Sequence, residues 1–201
     1  MIILENIKKF YGEKIVLDIP SLTFQKGKIY SITGYNGEGK STLLKIIYGI
    51  EGINSGKIRS EELDLGYNPQ REIFLKGTVR YNLTQPFMLR DEKVPVERME
   101  YFIKSFQMED FLDRDIKNLS GGEKAKIQFI RTLLFQNDFV LMDEPTASMD
   151  RKSTHLVEEL LIKEKESGKG IIIVTHDFMQ AEKISDFILE IEDTQISIKE
   201  K

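Results

Sequence analysis

Short, largely β-branched apolar runs recur along the chain at Lys28–Thr33, Phe139–Asp143, Ile171–Thr175 and Asp186–Ile191. Each is continuous rather than alternating, the pattern of a strand covered on both faces, as in a parallel sheet. Helical periodicity fills the intervals. Leu156, Val157, Leu160 and Leu161 share one face, with Glu158, Glu159 and Lys163 elsewhere around the helix, and Ile127, Ile130, Leu133 and Leu134 repeat the pattern earlier. Strands alternating with helices predict an α/β fold with a mostly parallel sheet. The opening third differs. Ile2–Phe10, Val16–Phe24 and Gly56–Arg59 read as strands without helices between them, which predicts an antiparallel patch. Residues 78–118 carry helical patterning and no strand, which predicts a helical insert.

Composition narrows the class. The 201 residues suffice for one large domain or two small ones. A chain of that length buries roughly 70% of its unfolded surface, enough for a core of its own. Apolar residues at 40% and charged residues at 31% give a soluble globular balance. Lys plus Arg is 29 against 33 for Asp plus Glu, a net charge of −4, without the basic excess that coats nucleic acid. No direct nucleic-acid binding is expected. With 0 cysteines, disulfides, thiolate zinc sites and cysteine nucleophiles are all excluded. The longest apolar stretches, such as Ile171–Val174, fall far short of the roughly 20 residues of a spanning helix. Glu5 interrupts the run a signal peptide would need, so a cytoplasmic protein is expected. No repeat and no low-complexity linker divides the chain.

Residues 34–42, Gly-Tyr-Asn-Gly-Glu-Gly-Lys-Ser-Thr, match G-x-x-x-x-G-K-[ST] at Gly34, Gly39, Lys40 and Ser41, between a strand and a helix-forming run. The residue types follow from the chemistry. Glycines let the backbone curl so that successive N–H groups face one anion, and the helix N-terminus adds its positive end. Lys40 can reach β- and γ-phosphates, and the Ser41 hydroxyl can hold Mg²⁺. Glu38 sets a carboxylate in a loop meant for anions and is expected to point outward. A second feature is the strand Phe139–Asp143, which ends in Asp143-Glu144. Alternation sends these acids to different places, one toward a metal and one toward an attacking water. The carboxyl ends of strands are where open α/β sheets bind ligands.

Residues 118–123, Asn-Leu-Ser-Gly-Gly-Glu, form a turn that can open a helix and bind an anion. Taken in order with the other motifs, the segment resembles the signature of ATP-binding cassette (ABC) ATPases. Tyr11 in Phe-Tyr-Gly resembles the aromatic on which adenine stacks, and Gln70 in Asn-Pro-Gln the glutamine of the Q-loop. Ala147-Ser148-Met149-Asp150 occupies the D-loop, and His176 in Val-Thr-His-Asp resembles the switch histidine. Taken singly, Tyr11, Gln70 and His176 are also compatible with a core tyrosine, a loop amide and a strand-end histidine. The match runs from residue 1 to about 190.

The resemblance implies a P-loop NTPase core with an N-terminal antiparallel patch and a small helical subdomain. As a single ABC ATPase domain over 1–201, it would place the core in 1–77 and 136–201 and the helices in about 78–135. It implies ATP and Mg²⁺ as cofactors, with Tyr11, Gly34, Asn36, Gly37, Gly39, Lys40, Ser41 and Thr42 on the nucleotide and Ser41, Gln70 and Asp143 near the metal. Glu144 would be the general base, with Lys40, Gln70 and His176 assisting. Ser120, Gly121 and Gly122 would serve the nucleotide of a partner, either a second copy or a paralogous cassette, in a head-to-tail dimer whose closure gates hydrolysis. Glu123 stands where glutamine is usual, Lys126 where arginine is common, and the D-loop departs from Ser-Ala-Leu-Asp.

Two kinds of machine fit such a cassette. One is the ATPase subunit of a membrane transporter, peripheral at the inner face of the cell membrane and docked on a permease through residues around 70–90. The other is a soluble ATPase acting on ribosomes, DNA or Fe–S assembly. The chain lacks the long coiled-coil insert, second cassette or zinc cysteines those soluble relatives carry. Ile73-Phe74-Leu75 and Gly77-Thr78-Val79 are apolar where transporter cassettes dock. The transporter is the reading we carry forward. The chain ends soon after its last predicted strand, so no C-terminal regulatory domain is expected.

Overall fold

A computed structural model describes residues 1–60 and 62–201. The chain opens with a hairpin, β1 (Ile2–Tyr11) and β2 (Lys14–Phe24), then runs through β3 (Ile29–Gly34) and α1 (Lys40–Tyr48). It returns as β4 (Ser55–Arg59) and β5 (Leu65–Asn68), followed by the helices α2 (Val79–Met88), α3 (Val96–Ser105) and α4 (Gly121–Leu134). The remainder alternates: β6 (Phe139–Asp143), α5 (Arg151–Glu166), β7 (Gly170–Val174), α6 (Phe178–Ile184), β8 (Phe187–Glu192) and β9 (Gln195–Glu200).

Two sheets result. The antiparallel one runs β2-β1-β4, as the opening third predicts. The larger runs β5-β6-β7-β3-β8-β9 and is parallel except at β9. Every residue of β6 and β7 is buried, which explains why their sequences do not alternate. Val140, Met142, Ile171 and Ile173 pack toward the helices α2–α5, whereas Phe139, Leu141, Ile172 and Val174 pack toward α1 and the antiparallel sheet.

Two strands escape the hydrophobic pattern. β5, Leu-Gly-Tyr-Asn, has the composition of a loop and becomes a strand through parallel pairing with β6, from Leu65↔Phe139 to Asn68↔Met142. β9 is largely exposed and pairs with β8 across a tight turn whose residues Asp193 and Thr194 take φ of 46° and 72°. Such turns match the right-handed strand twist, so register comes from turn geometry rather than burial. Among the described residues, no helix is long and apolar enough to cross a membrane.

Candidate functional site

β3 ends at Gly34, and the loop to α1 turns on left-handed glycines. Gly34 has φ +133°, and a side chain there would overlap the Ile191 carbonyl. Gly39 has φ +96°, and a Cβ would come within 2.9 Å of Val16 Cγ1. Only glycine satisfies both the dihedral and the space. Gly39 caps α1 without any side-chain acceptor, and no acid lies in the first turn, so the helix's leading N–H groups and positive end remain available to an anion. Lys40 is 7% exposed, and its Nζ donates to the carbonyls of Gly34 at 2.8 Å and Tyr35 at 2.7 Å. The ammonium is thereby held over the centre of its own loop.

β6 lies two strands from β3 and delivers the acids. Asp143 is buried and accepts from Ser41 Oγ at 3.0 Å. Burial holds its carboxyl above the usual carboxylate range; the Ser41 hydrogen bond opposes that shift and the Glu144 charge adds to it. Glu144 leaves the strand with φ +52°, a left-handed turn rare for a side-chain-bearing residue. Its carboxylate meets His176 Nδ1 at 2.6 Å, at the end of β7. Strict alternation would put the two acids on opposite sides of the sheet. The left-handed step at Glu144 instead brings both onto one cleft while sending them to different partners. Tyr67 on β5 lies within the field of Asp143; burial first, and that charge second, push its phenol up to about 12.

The cleft measures about 500 Å³. Tyr11 enters it from the hairpin, Gln70 from the segment after β5, and Asn36, Gly37 and Gly39 through Thr42 from the loop. Asp143 and Glu144 complete the floor. Glu38 is half-buried and takes no part in the lining. The Tyr11 ring is half-exposed, with Lys9 Nζ 4.8 Å from its centroid. Lys14 also lines the cleft and escaped sequence reasoning; its signal was the pairing of Tyr11 with Lys14 across the turn, which puts a cation beside the aromatic.

The signature turn is elsewhere. Ser120 caps α4 in a reciprocal box: Glu123 N donates to Ser120 Oγ at 3.4 Å, and Glu123 Oε2 accepts from Ser120 N at 2.7 Å. The Ser120 N–H, and after it the Ser120 hydroxyl donating at 2.8 Å, hold the Glu123 carboxyl below its ordinary range. A Cβ on Gly122 would come within 2.8 Å of the Ser148 carbonyl, so this glycine lets the turn pack against residues 147–150. Lys126 and Asp150 clasp the same junction at 3.1 Å. Ser120, Gly121 and Gly122 line no part of the cleft that their own chain forms.

Two residues missed by sequence reading tie the cleft to the helices. Gln128 on α4 donates to the Pro69 carbonyl at 2.7 Å and accepts from Ile73 N at 3.0 Å, bracketing Gln70. Asn82 on α2, buried, accepts from Leu75 N at 2.8 Å and donates to the Leu75 and Thr78 carbonyls at 3.0 Å each. A polar residue on a helix gives no sequence signal that distinguishes such a strap from a solvated face. Between the straps, Phe74 packs inward while Ile73 and Leu75 are 63% and 48% exposed.

Known proteins resemble this chain in sequence and fold. The family model described as ABC transporter matches residues 17–147. The tungstate uptake system ATP-binding protein TupC of Peptoclostridium acidaminophilum is 33% identical over 97% of this chain and 96% of its own length. The manganese transport system ATP-binding protein MntB of Bacillus subtilis is 33% identical over 92% and 81%. Among solved structures, the dimeric post-hydrolysis state of the ATP-binding cassette MJ0796, bound to ADP and Pi, superposes with a TM-score of 0.89 at 26% identity, covering 100% of this chain and 98% of that one. The chain therefore belongs to the ABC transporter family as an ATP-binding, ATP-hydrolysing cassette.

Proposed function

We propose that the chain is the energy-supplying subunit of a membrane transporter, working at the inner face of the cell membrane against a separate permease. Its machinery is a single cassette, with residues 1–77 and 136–201 forming the catalytic core and residues 78–135 a helical arm. The observation that carries this reading is the convergence of Lys40, Ser41, Asp143 and Glu144 on one cleft, with His176 bonded to Glu144 from outside its lining and the signature turn left outside as well. A second copy, approaching head to tail, would bring Ser120, Gly121 and Gly122 to the cleft's open side. Each site would then form only on closure, which couples chemistry to motion.

In this reading the loop amides, the α1 N-terminus and Lys40 bind the phosphates, and Tyr11 stacks on the adenine. Glu144 takes a proton from the attacking water, and His176, bonded to it, orients the carboxylate toward the γ-phosphate. Positioning and charge neutralisation supply most of the acceleration in phosphoryl transfer. The Ser41 hydroxyl and Asp143 carboxylate, 3.0 Å apart and near the Gln70 amide, form a hard-oxygen donor set suited to magnesium. Magnesium, when bound there, would offset phosphate charge.

The permease reading is supported by the relatives' names and by the exposed Ile73 and Leu75, which lie on a segment strapped at both ends to the helices and to Gln70. Purification from membranes, with and without detergent-solubilised partner, tests it. Recovery of a multi-spanning protein together with stimulated phosphate release is expected. Full activity with no membrane partner would count against it.

A further inference from the structure

β6 and β7 stay in register up to Asp143↔Val174, and past that rung the two chains leave the sheet, one toward α5 and the other toward α6. A single backbone bond, Glu144 N donating to Val174 O at 3.0 Å, crosses just beyond it. Glu144 also keeps its left-handed φ of 52°, a conformation that persists only where the surroundings enforce it. A buried amide spans the gap between the two departing segments. Gln180 on α6 is 2% exposed, and its Oε1 accepts from Thr175 Oγ1 at 2.9 Å, one residue before His176. The same amide lies against Thr146 Oγ1, two residues after Glu144, with Nε2 donating to it at 3.3 Å and Oε1 accepting from it at 3.4 Å. Thr175 Oγ1 in turn accepts from Asp177 N at 3.1 Å, and Asp177 Oδ1 accepts from Gln180 N at 3.1 Å, which closes the network. Burying an amide is costly unless its hydrogen bonds are made, and a buried network whose members are satisfied fixes one geometry.

We infer that Gln180 is a positioning residue: its amide latches the Glu144 turn to the His176 loop and so sets the separation at which that pair meets. The inference rests on the assignment of Glu144 as the base given above, and deepens it by naming what holds the base in place. Gln180, Thr146 and Thr175 do not line the cleft, so the latch acts through its neighbours and touches no reacting atom. The phosphate-facing groups come from the loop after β3 and from α1, to which the amide makes no bond. The latch therefore bears on the chemical step and leaves nucleotide binding alone.

Gln180→Met keeps the length and bulk of the side chain and removes its hydrogen bonds. It is expected to lower kcat by about tenfold to a hundredfold, the scale for a small misplacement of a reacting group, with the KM for ATP and the affinity for a fluorescent nucleotide unchanged. On a Glu144→Gln background the same substitution should cost nothing further, because the group it positions is already gone. In the nucleotide-free protein, the ring-nitrogen resonances of His176, assigned by their absence from His176→Ala, should shift in Gln180→Met. If urea denaturation shows that Gln180→Met does not fold, Thr146→Val removes one arm of the latch and carries the same readouts. An unchanged kcat, an unmoved His176 spectrum or an equal further loss on the Glu144→Gln background overturns the latch and leaves the base assignment intact. A loss of nucleotide affinity in proportion to the loss of rate also overturns it, because Gln180 would then act on binding. Full turnover in Glu144→Gln by itself overturns the latch and the base assignment together.

Discussion

Glu144 Oε2 lies 2.6 Å from His176 Nδ1, although the two residues are 32 positions apart in sequence and sit at the ends of adjacent parallel strands. The Glu144 side chain is 11% exposed and that of His176 69%. A shielded carboxylate is thus bonded to a largely exposed histidine. The left-handed φ of Glu144 makes the meeting possible, because an extended residue there would carry the carboxylate to the other face of the sheet.

Glu144→Gln is expected to bind ATP and slow hydrolysis by about 10²–10⁴, the range for loss of a general base. His176→Ala should also slow hydrolysis with ATP affinity retained. Single-turnover phosphate release beside nucleotide titration checks both. Normal turnover in Glu144→Gln would remove the assigned role.

Lys40→Met should weaken nucleotide binding by about 1.5–3 kcal/mol, the scale of a hydrogen bond to a charged group. Because Nζ also holds the Gly34 and Tyr35 carbonyls, the loop should loosen even without ligand. Titration with a fluorescent nucleotide, and amide exchange over residues 34–39 of the free protein, read the two effects separately.

Asn82→Ala leaves the Leu75 and Thr78 backbone groups without their side-chain partner. A cost of about 0.5–1.5 kcal/mol in unfolding free energy is expected, the usual net worth of such hydrogen bonds. Urea denaturation measures it, and nucleotide affinity should remain near that of the parent because Asn82 does not line the cleft.

Asp150 caps α5 by accepting from Ser153 N and Ser153 Oγ, each at 2.8 Å, and it pairs with Lys126. Asp150→Ala should cost about 1 kcal/mol. The Ser153 hydrogen bonds, backbone first, and then Lys126 hold the carboxyl well below its ordinary 3.8. A carboxyl depressed on folding contributes stability above its unfolded value and loses it as pH falls through the folded value. The melting-temperature gap between parent and variant should therefore stay level through neutral pH and shrink only in strong acid. A gap that closed near pH 6 would point to a different titrating group.

The wall of the site was legible because its chemistry is local. A strand, a glycine turn and a helix start occupy consecutive residues from Lys28 to Ile47, so periodicity and backbone freedom locate them without tertiary knowledge. The buried strands β6 and β7 were legible because burial on both faces writes itself as an unbroken apolar run. β5 and β9 were not legible, since the first owes its extension to pairing with β6 and the second is an exposed edge. Gln128 and Asn82 were invisible for a related reason: their value lies in which carbonyls happen to face them.

The order of residues by itself determined the fold class, the phosphate cradle and the identity of the acids, because each depends on spacing along a single element. Tertiary structure alone decided that Ser41 meets Asp143, that Glu144 turns back to His176, and that Ser120 stands outside its own chain's cleft. Those relations depend on strand order and on one left-handed dihedral. Residues distant in sequence become neighbours only through long-range packing, and no local propensity encodes which ones will meet.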